Sequence, residues 1–210
     1  MRVLAIETAS EACSIALFDG EAIVAHDHRL IGRGHAEALV PMIAALPDKG
    51  RANRILVSLG PGSFTGVRIG LAAARALGFA WGAEVLGYPT LALAAAQAQH
   101  IHPAQAVTIC MNGGHGEWFV ADFGADGLPQ GQASSLPPDA ARARKTHPLV
   151  AGNRATALAA LYADQAITAI DLLPDASAVR LLNPRLLSHN LAPIYGRGPD
   201  ATPLALQGRP

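Results

Sequence analysis

The segment Gly60-Pro61-Gly62-Ser63-Phe64-Thr65-Gly66 has the residue types best suited to chemistry in this chain. It follows an apolar run and opens a helical pattern. In that setting, backbone N–H groups at a helix N-terminus bind an anion and glycines let it come close. Arg68 lies two residues on and can meet a phosphate or a carboxylate, so Gly60, Gly62, Ser63, Thr65 and Arg68 form a candidate phosphate-binding set. No Gly-Lys-Ser/Thr follows, so this is not a Walker A loop, and a tight turn whose glycines serve only helix packing is the commoner use of such a segment. Glu7 and Glu11 flank the first polar break. In a nucleotide-binding fold that opens with a hairpin, an acidic residue such as Glu7 can hold a magnesium-bound water. Two solvated carboxylates in a turn are the plainer reading, because nothing else in the segment points to a metal.

The eight histidines yield no metal motif. His26 and His28 are two apart, as are His100 and His102; neither pair has the i, i+4 spacing that places two ligands on one helix face, and no HExxH occurs. His115 sits among glycines beside Glu117 without an evident nucleophile or acid partner, and His35 opens a helical pattern. The sequence therefore predicts no metal ligands and no catalytic constellation. Cys13 and Cys110 fit neither a disulfide framework nor a CxxC knuckle and read as buried free thiols. A basic stretch runs from Arg142 through Arg144, Lys145 and His147 to Arg154. It is either part of a larger RNA-facing surface or a solvated face, and it lacks the aromatic residues that stack bases.

These groups must be positioned by an α/β framework. Residues 2–26 read as a β-meander, with Asp19-Gly20 as a hairpin turn. Leu39, Met42, Ile43 and Leu46 recur at helical spacing over 35–46, with Pro41 inside the pattern as a predicted kink. Arg54 to Leu59 reads as a buried strand, followed by a helix from Ser63 or Thr65 to Phe79. Gly66, Gly70, Ala74 and Gly78 recur every four residues there, a stripe that admits another backbone. Each helix glycine costs about 1 kcal/mol relative to alanine, so close packing should offset it. Val85 to Tyr88 reads as a strand, Leu91 to Ala98 as a helix, and 100–105 as a linker. Ala106–Met111, Trp118–Phe123 and Leu149–Ala151 read as further strands, and Ala155–Ala163 and Ala176–Leu182 as helices. The partition is one lobe over 1–100, a second over 104–195, and a Gly/Pro-rich flexible tail over 196–210.

Of the 210 residues, 50% are hydrophobic and 15% charged, which excludes intrinsic disorder. Sixteen basic residues balance sixteen acidic ones, so the chain lacks the basic excess of a protein that holds nucleic acid alone. No run of about 18 apolar residues reads as a membrane span. The sequence predicts a soluble cytoplasmic protein.

The run Leu4-Ala5-Ile6-Glu7-Thr8-Ala9-Ser10-Glu11-Ala12-Cys13-Ser14-Ile15-Ala16-Leu17, the segment His35-Ala36-Glu37 with Leu39 and Pro41, and Gly60 through Gly70 closely resemble the TsaB (YeaZ) family, over about residues 1–100. Later, Gly116-Glu117-Trp118 and Pro193-Ile194-Tyr195-Gly196-Arg197 resemble family segments, but Asn112-Gly113-Gly114 stands where the family usually has Asp-Ala-Arg. The resemblance implies an actin-like ASKHA (ribonuclease H-like) α/β fold of two lobes, each with a mixed β-sheet and packed helices. It implies a non-catalytic scaffold in tRNA threonylcarbamoyladenosine modification, paired with a TsaD-like threonylcarbamoyltransferase and a TsaE-like ATPase, with a TsaC-like enzyme making the adenylate. The tRNA would be reached only through the complex. ATP or ADP within the complex is the only cofactor to consider. In TsaD-like proteins a His-x-x-x-His pair binds the metal, and Thr90 and Ala94 fall where those histidines would be. The expected partner surface uses helix 35–46 and the helix after Ser63, with His35, Leu39, Met42, Gly66, Gly70, Ala74 and Gly78; burial in the chain's own core is the alternative for these residues. Without a partner, the same surface would close a homodimer. A metal-dependent glycoprotease-like peptidase and an ASKHA-type ATP-hydrolysing enzyme or kinase are the rival functions.

Overall fold

A computed structural model describes residues 1–162 and 164–196. The chain opens with the expected meander, β1 (Arg2–Glu7), β2 (Ala12–Asp19) and β3 (Ala22–Leu30). The hairpin turn falls one residue later than expected, at Gly20-Glu21, with Asp19 paired to Ala22 and Gly20 at φ +57. Strands β4 (Arg54–Ser58) and β5 (Glu84–Tyr88) then add in parallel, giving the order β3-β2-β1-β4-β5. The central strands read as unbroken apolar runs because the sheet is covered on both faces. Leu4, Ile6, Ile15, Leu17, Ile55 and Val57 lie in one core with α1 (His35–Ala45) and α2 (Phe64–Trp81). Val3, Ala5, Ala16, Phe18 and Leu56 lie in the other, against α3 (Thr90–Ile101).

The second sheet repeats this plan. Strands β6 (Val107–Gly114), β7 (Glu117–Phe123), β8 (Ser134–Leu136), β9 (Leu149–Ala151) and β10 (Thr168–Ile170) take the order β10-β9-β6-β7-β8. As in the first sheet, the opening strand has an antiparallel meander on one side and parallel strands on the other. Val107, Ile109, Phe119 and Ala121 face the shared core with α3. Cys110, Val120 and Val150 face outward under α4 (Pro138–Arg142) and α5 (Ala155–Ala159). The layers run helix, sheet, helix, sheet, helix. The middle layer is α3, whose Leu91 through Ala96 are all buried, four of those six being alanine. Small side chains allow a helix to be enclosed between two sheets.

The structure lengthens and shortens several expected elements. β3 extends to Leu30, and α3 runs to Ile101, absorbing the start of the expected linker 100–105. α1 continues through Pro41 to Ala45, with Leu39, Met42 and Ile43 buried. The expected helix Ala155–Ala163 is regular only to Ala159, and Ala163 lies outside the described residues. The expected helix Ala176–Leu182 forms as a 3-10 helix over Ala176–Leu181 rather than as an α-helix. The short strands β8 and β10 have no three-residue pattern strong enough to announce them. The segment after Asp171 was expected to finish the second lobe, but it returns to the first. Gly87 is bridged to Ser188, and the Ile194 N–H donates to the Leu59 carbonyl at 2.7 Å. Of the expected tail, Gly196 is placed so close to Phe119 that a Cβ there would stand 2.5 Å from the ring. The tail residues 197–210 lie outside the described residues. Cys13 and Cys110 are free and buried, and burial pushes their thiols up to about 11 and about 12. Among the described residues, no helix is long and apolar enough to cross a membrane.

The small-residue stripe on α2 faces inward. A Cβ at Gly66 would stand 2.0 Å from the Thr8 carbonyl oxygen, one at Gly70 2.4 Å from Thr8 Oγ1, and one at Gly78 2.4 Å from Val85 Cγ2. Ala74 is fully buried. The backbone admitted by Gly66 is thus that of the chain's own β1–β2 turn. His35, Leu39 and Met42 are likewise buried, His35 with Nε2 3.2 Å from the Ala12 carbonyl oxygen. These seven residues belong to the core of the first lobe, and any partner surface on α1 and α2 must use their opposite faces. Gly66→Ala and Gly70→Ala should each lower stability by about 1–3 kcal/mol through overpacking, outweighing the helix propensity that alanine adds. Urea unfolding checks this, and a neutral or stabilising effect would mean that α2 can shift away from the turn.

Candidate functional site in the cleft between the lobes

Ser63 is the N-cap of α2, its Oγ accepting from the Gly66 N–H at 3.1 Å. The loop before it is bound to two neighbours. Gly60 exchanges bonds with Thr90, its N–H donating to Thr90 Oγ1 at 3.1 Å and its carbonyl accepting from the Thr90 N–H at 2.8 Å. The Ser63 N–H donates to the Ala9 carbonyl at 2.7 Å, and a Cβ at Gly62 would stand 2.1 Å from that same oxygen. Gly60 also holds φ +93, where a side chain would be strained. Three N–H groups of the expected anion cradle, those of Gly60, Ser63 and Gly66, are therefore already bonded within the chain. The glycines serve close backbone approach, the packing use recognised in the sequence.

This loop forms one wall of a cleft of about 730 Å³, the size of a small-molecule site. Ser63, Phe64 and Arg68 line it from α2, Ser10 and Glu11 from the first turn, Asn112 and His115 from the β6–β7 hairpin, and Tyr195 from the returning segment. Arg68 lies 3.6 Å over the Phe64 ring, and its Nη2 donates to Tyr195 Oη at 3.1 Å. Its guanidinium therefore stands at the cleft with a fixed orientation. Thr65 is exposed, and the cleft lining does not include it.

The two acidic candidates separate. Glu11 faces the cleft and ties the lobes together. Asn153 Nδ2 donates to both of its carboxylate oxygens at 2.9 Å, and Asn112 Nδ2 reaches Oε1 at 3.4 Å. Asn153 Oδ1 in turn accepts from the Asn112 N–H at 2.8 Å. The atypical Asn112 thus contributes to a clasp between the first turn and the second sheet. Glu7 is fully buried, which neither sequence reading anticipated. Its Oε1 accepts from the Ala9 N–H at 2.7 Å, and Tyr88 Oη lies 3.3 Å from Oε2. Burial outweighs these bonds and pushes its carboxyl from about 4.5 up to about 7. Glu7 is absent from the cleft lining, as are Gly60 and Thr90.

Thr90 and Ala94 begin α3 in the shared core, at 1% and 0% exposure, and Thr90 is occupied by Gly60. Within the basic stretch, Arg144 is paired with Asp122 at 2.6 Å. Outside the cleft, the structure also brings His26 and His28 together with Asp175. The helix-spacing criterion missed this pair because i and i+2 share a face on a strand.

The duplicated sheets, the helix held between them and the cleft at their junction define a two-lobed α/β protein of the ASKHA-like, actin-related class. Residues 28–128 match the family model described as TsaD, tRNA N6-adenosine threonylcarbamoyltransferase. The tRNA threonylcarbamoyladenosine biosynthesis protein TsaB of Escherichia coli is 38% identical over 133 residues, 60% of this chain and 56% of that protein. An uncharacterised protein of Mycobacterium tuberculosis is 33% identical over 212 residues, 97% of this chain and 95% of that protein. The solved structure of YeaZ from Pseudomonas aeruginosa superposes with a TM-score of 0.75 at 27% identity, covering 92% of this chain and 99% of that one. The chain belongs to the TsaB/YeaZ family. It spans about half the length of the curated TsaB relatives it matches.

The Glu7 carboxyl makes a testable claim about pH. The native state keeps this proton while the unfolded chain releases it, so the Glu7 contribution to stability falls as pH rises from about 4.5 to about 7. The full penalty above that window is of order 3 kcal/mol. Glu7→Gln removes the titration. Its stability relative to the parent should therefore rise by roughly that amount between pH 4.5 and pH 8 in urea unfolding. Parallel pH profiles for the two proteins would contradict the buried protonated carboxyl.

Proposed function

We propose that this chain is the non-catalytic scaffold or activator subunit of the tRNA threonylcarbamoyladenosine modification complex. It pairs with a TsaD-like threonylcarbamoyltransferase, which carries the group from its adenylate to N6 of adenosine, and with a TsaE-like ATPase. The named relatives support the pathway. The partner role rests on one observation, the apolar outward faces of α1 and α2. Val40 is 61% exposed and Phe79 93% exposed, with Pro41, Ala44, Ala72 and Ala76 also on the solvent side. Large exposed apolar side chains on two packed helices suit a protein interface. A TsaD-like lobe built on the same plan is the occupant this reading commits to, and a second copy of the chain takes its place when the partner is missing.

The peptidase reading has less support. Thr90 and Ala94, where the resemblance puts the metal-binding histidines of the catalyst, offer a hydroxyl already bonded to Gly60 and a methyl group in the core. The ATP-binding reading has one supporting feature, the cleft of about 730 Å³ with Arg68 at its wall. ATP or ADP bound there within the complex is compatible with a scaffold role, and calorimetric titration of the complex with ATP tests it. The balanced charge of the chain fits tRNA contact through the complex rather than alone, and the pathway fits a cytoplasmic location.

Co-purification with the TsaD-like partner tests the interface. Val40→Glu and Phe79→Glu should each weaken the complex by about 2 kcal/mol, a thirtyfold or so loss, and lower tRNA modification in parallel. Stability of the isolated chain should stay within about 0.5 kcal/mol, since both residues are at the surface. Variants that still form the complex and modify tRNA normally would place the partner elsewhere.

A further inference from the structure

A cluster of two histidines and an aspartate lies apart from the cleft and from the outward faces of α1 and α2. His26 and His28 alternate onto one face of β3, opposite Ala16 and Ser14 of β2. Asp175 comes from the returning segment, where it caps the 3-10 helix Ala176–Leu181. His26 Nε2 stands 2.7 Å from Asp175 Oδ1, and His28 Nδ1 stands 3.1 Å from Asp175 Oδ2. One donor atom from each residue lies within 4.8 Å of the other two.

Two features separate this cluster from an ordinary surface ion pair. The carboxylate is held in place, Oδ1 accepting from Ser14 Oγ at 3.1 Å and from the Ser177 N–H at 2.8 Å, while the Asp175 N–H donates to Gln97 Oε1 at 3.0 Å. That leaves Oδ2 turned toward His28. His28 Nδ1, although near, is not in hydrogen-bond geometry with it. Among the described residues it is the one buried side-chain nitrogen or oxygen without a hydrogen-bond partner. A buried polar atom left unpaired is costly, and a bound ion is one way to satisfy it.

We propose that His26, His28 and Asp175 bind a divalent first-row transition ion, with zinc as the best fit. Two imidazole nitrogens and one carboxylate oxygen favour zinc, cobalt or nickel over magnesium or calcium, which take oxygen ligands. Tetrahedral bonds of about 2.0–2.1 Å set donors roughly 3.3 Å apart; the three donor atoms lie within 4.8 Å of one another, so modest side-chain rotations bring them around one ion. A proton shared between His26 and Asp175 accounts for the shorter contact alone and leaves His28 Nδ1 unsatisfied. The three side chains are 33%, 27% and 21% exposed, enough for an ion to enter and for a water to complete the shell. The ion fastens an outer strand of the first sheet to the chain segment that returns after the second lobe. It is a structural clasp and takes no part in group transfer.

The test uses the full chain stripped with chelator and titrated with zinc by calorimetry and with cobalt by visible absorption. The expected result is one ion per chain, a cobalt spectrum of four-coordinate type, and a Tm that rises with zinc concentration because only the folded chain presents the site. His26→Ala and His28→Ala should each weaken binding by at least about 100-fold, the upper end of the loss from removing even a supporting partner of a metal ligand. His28→Gln, which keeps a polar group on the strand, should also lose binding, so that failure of the alanine variants to fold does not decide the matter. The double variant His100→Ala, His102→Ala should bind as the parent does. Absence of saturable zinc binding by the parent, or unchanged affinity in His28→Gln, overturns the proposal.

Discussion

The turn after β1 is wedged against the N-terminal end of α2, and most of the first lobe depends on that contact. Thr8 Oγ1 donates to the Gly66 carbonyl at 2.8 Å, and the Ser63 N–H donates to the Ala9 carbonyl at 2.7 Å. Side chains at Gly62, Gly66 or Gly70 would occupy the space that the turn takes. The helix gives up intrinsic propensity for this approach, about 1 kcal/mol for each helical glycine, and the bonds and excluded water offset it. Once turn and helix are seated, Glu7 is sealed beneath Ala9, Glu11 is turned toward the second sheet, and Arg68 is presented at the cleft. A conformational demand of the backbone thus decides where the charged groups stand.

Much of the architecture was legible because the local signals are strong. Asp19-Gly20 announces a hairpin, the helix expected from Ser63 or Thr65 begins at Phe64, and the spacing of Leu39, Met42 and Ile43 defines the buried face of α1. The direction of a small-residue stripe was not legible. Gly66, Gly70, Ala74 and Gly78 show that something approaches closely, but their spacing is the same whether the visitor is another protein or the chain's own turn. The burial of Glu7 was hidden for a related reason, since its apolar enclosure includes Tyr88, far along the chain. The grouping of His26 and His28 was readable in principle from the alternation of a strand. Asp175, which completes it, is almost 150 residues away, and no local pattern links it to them.

The two sheets share one connectivity yet have diverged in what covers them. The first is backed by α2, eighteen residues long, and the second by two five-residue helices. The helix between them is small-sided, so the sheets come close enough to share a single core. Relative motion of the lobes would have to disturb that core and the Glu11–Asn153 clasp together. The cleft is therefore a pre-shaped recess rather than the mouth of a wide hinge.

The returning segment sets an order of assembly. Ser188 closes against Gly87 and Ile194 against Leu59, so parts of the first lobe lack their cover until the second has been made. On a ribosome the early meander would emerge and pair while Leu59 and Gly87 still faced solvent, waiting for about a hundred further residues. Domain-by-domain maturation is not available to such a chain. Its halves are stitched by a thread made after both sheets, and a product broken off before Ser188 would leave its first half unfinished as well.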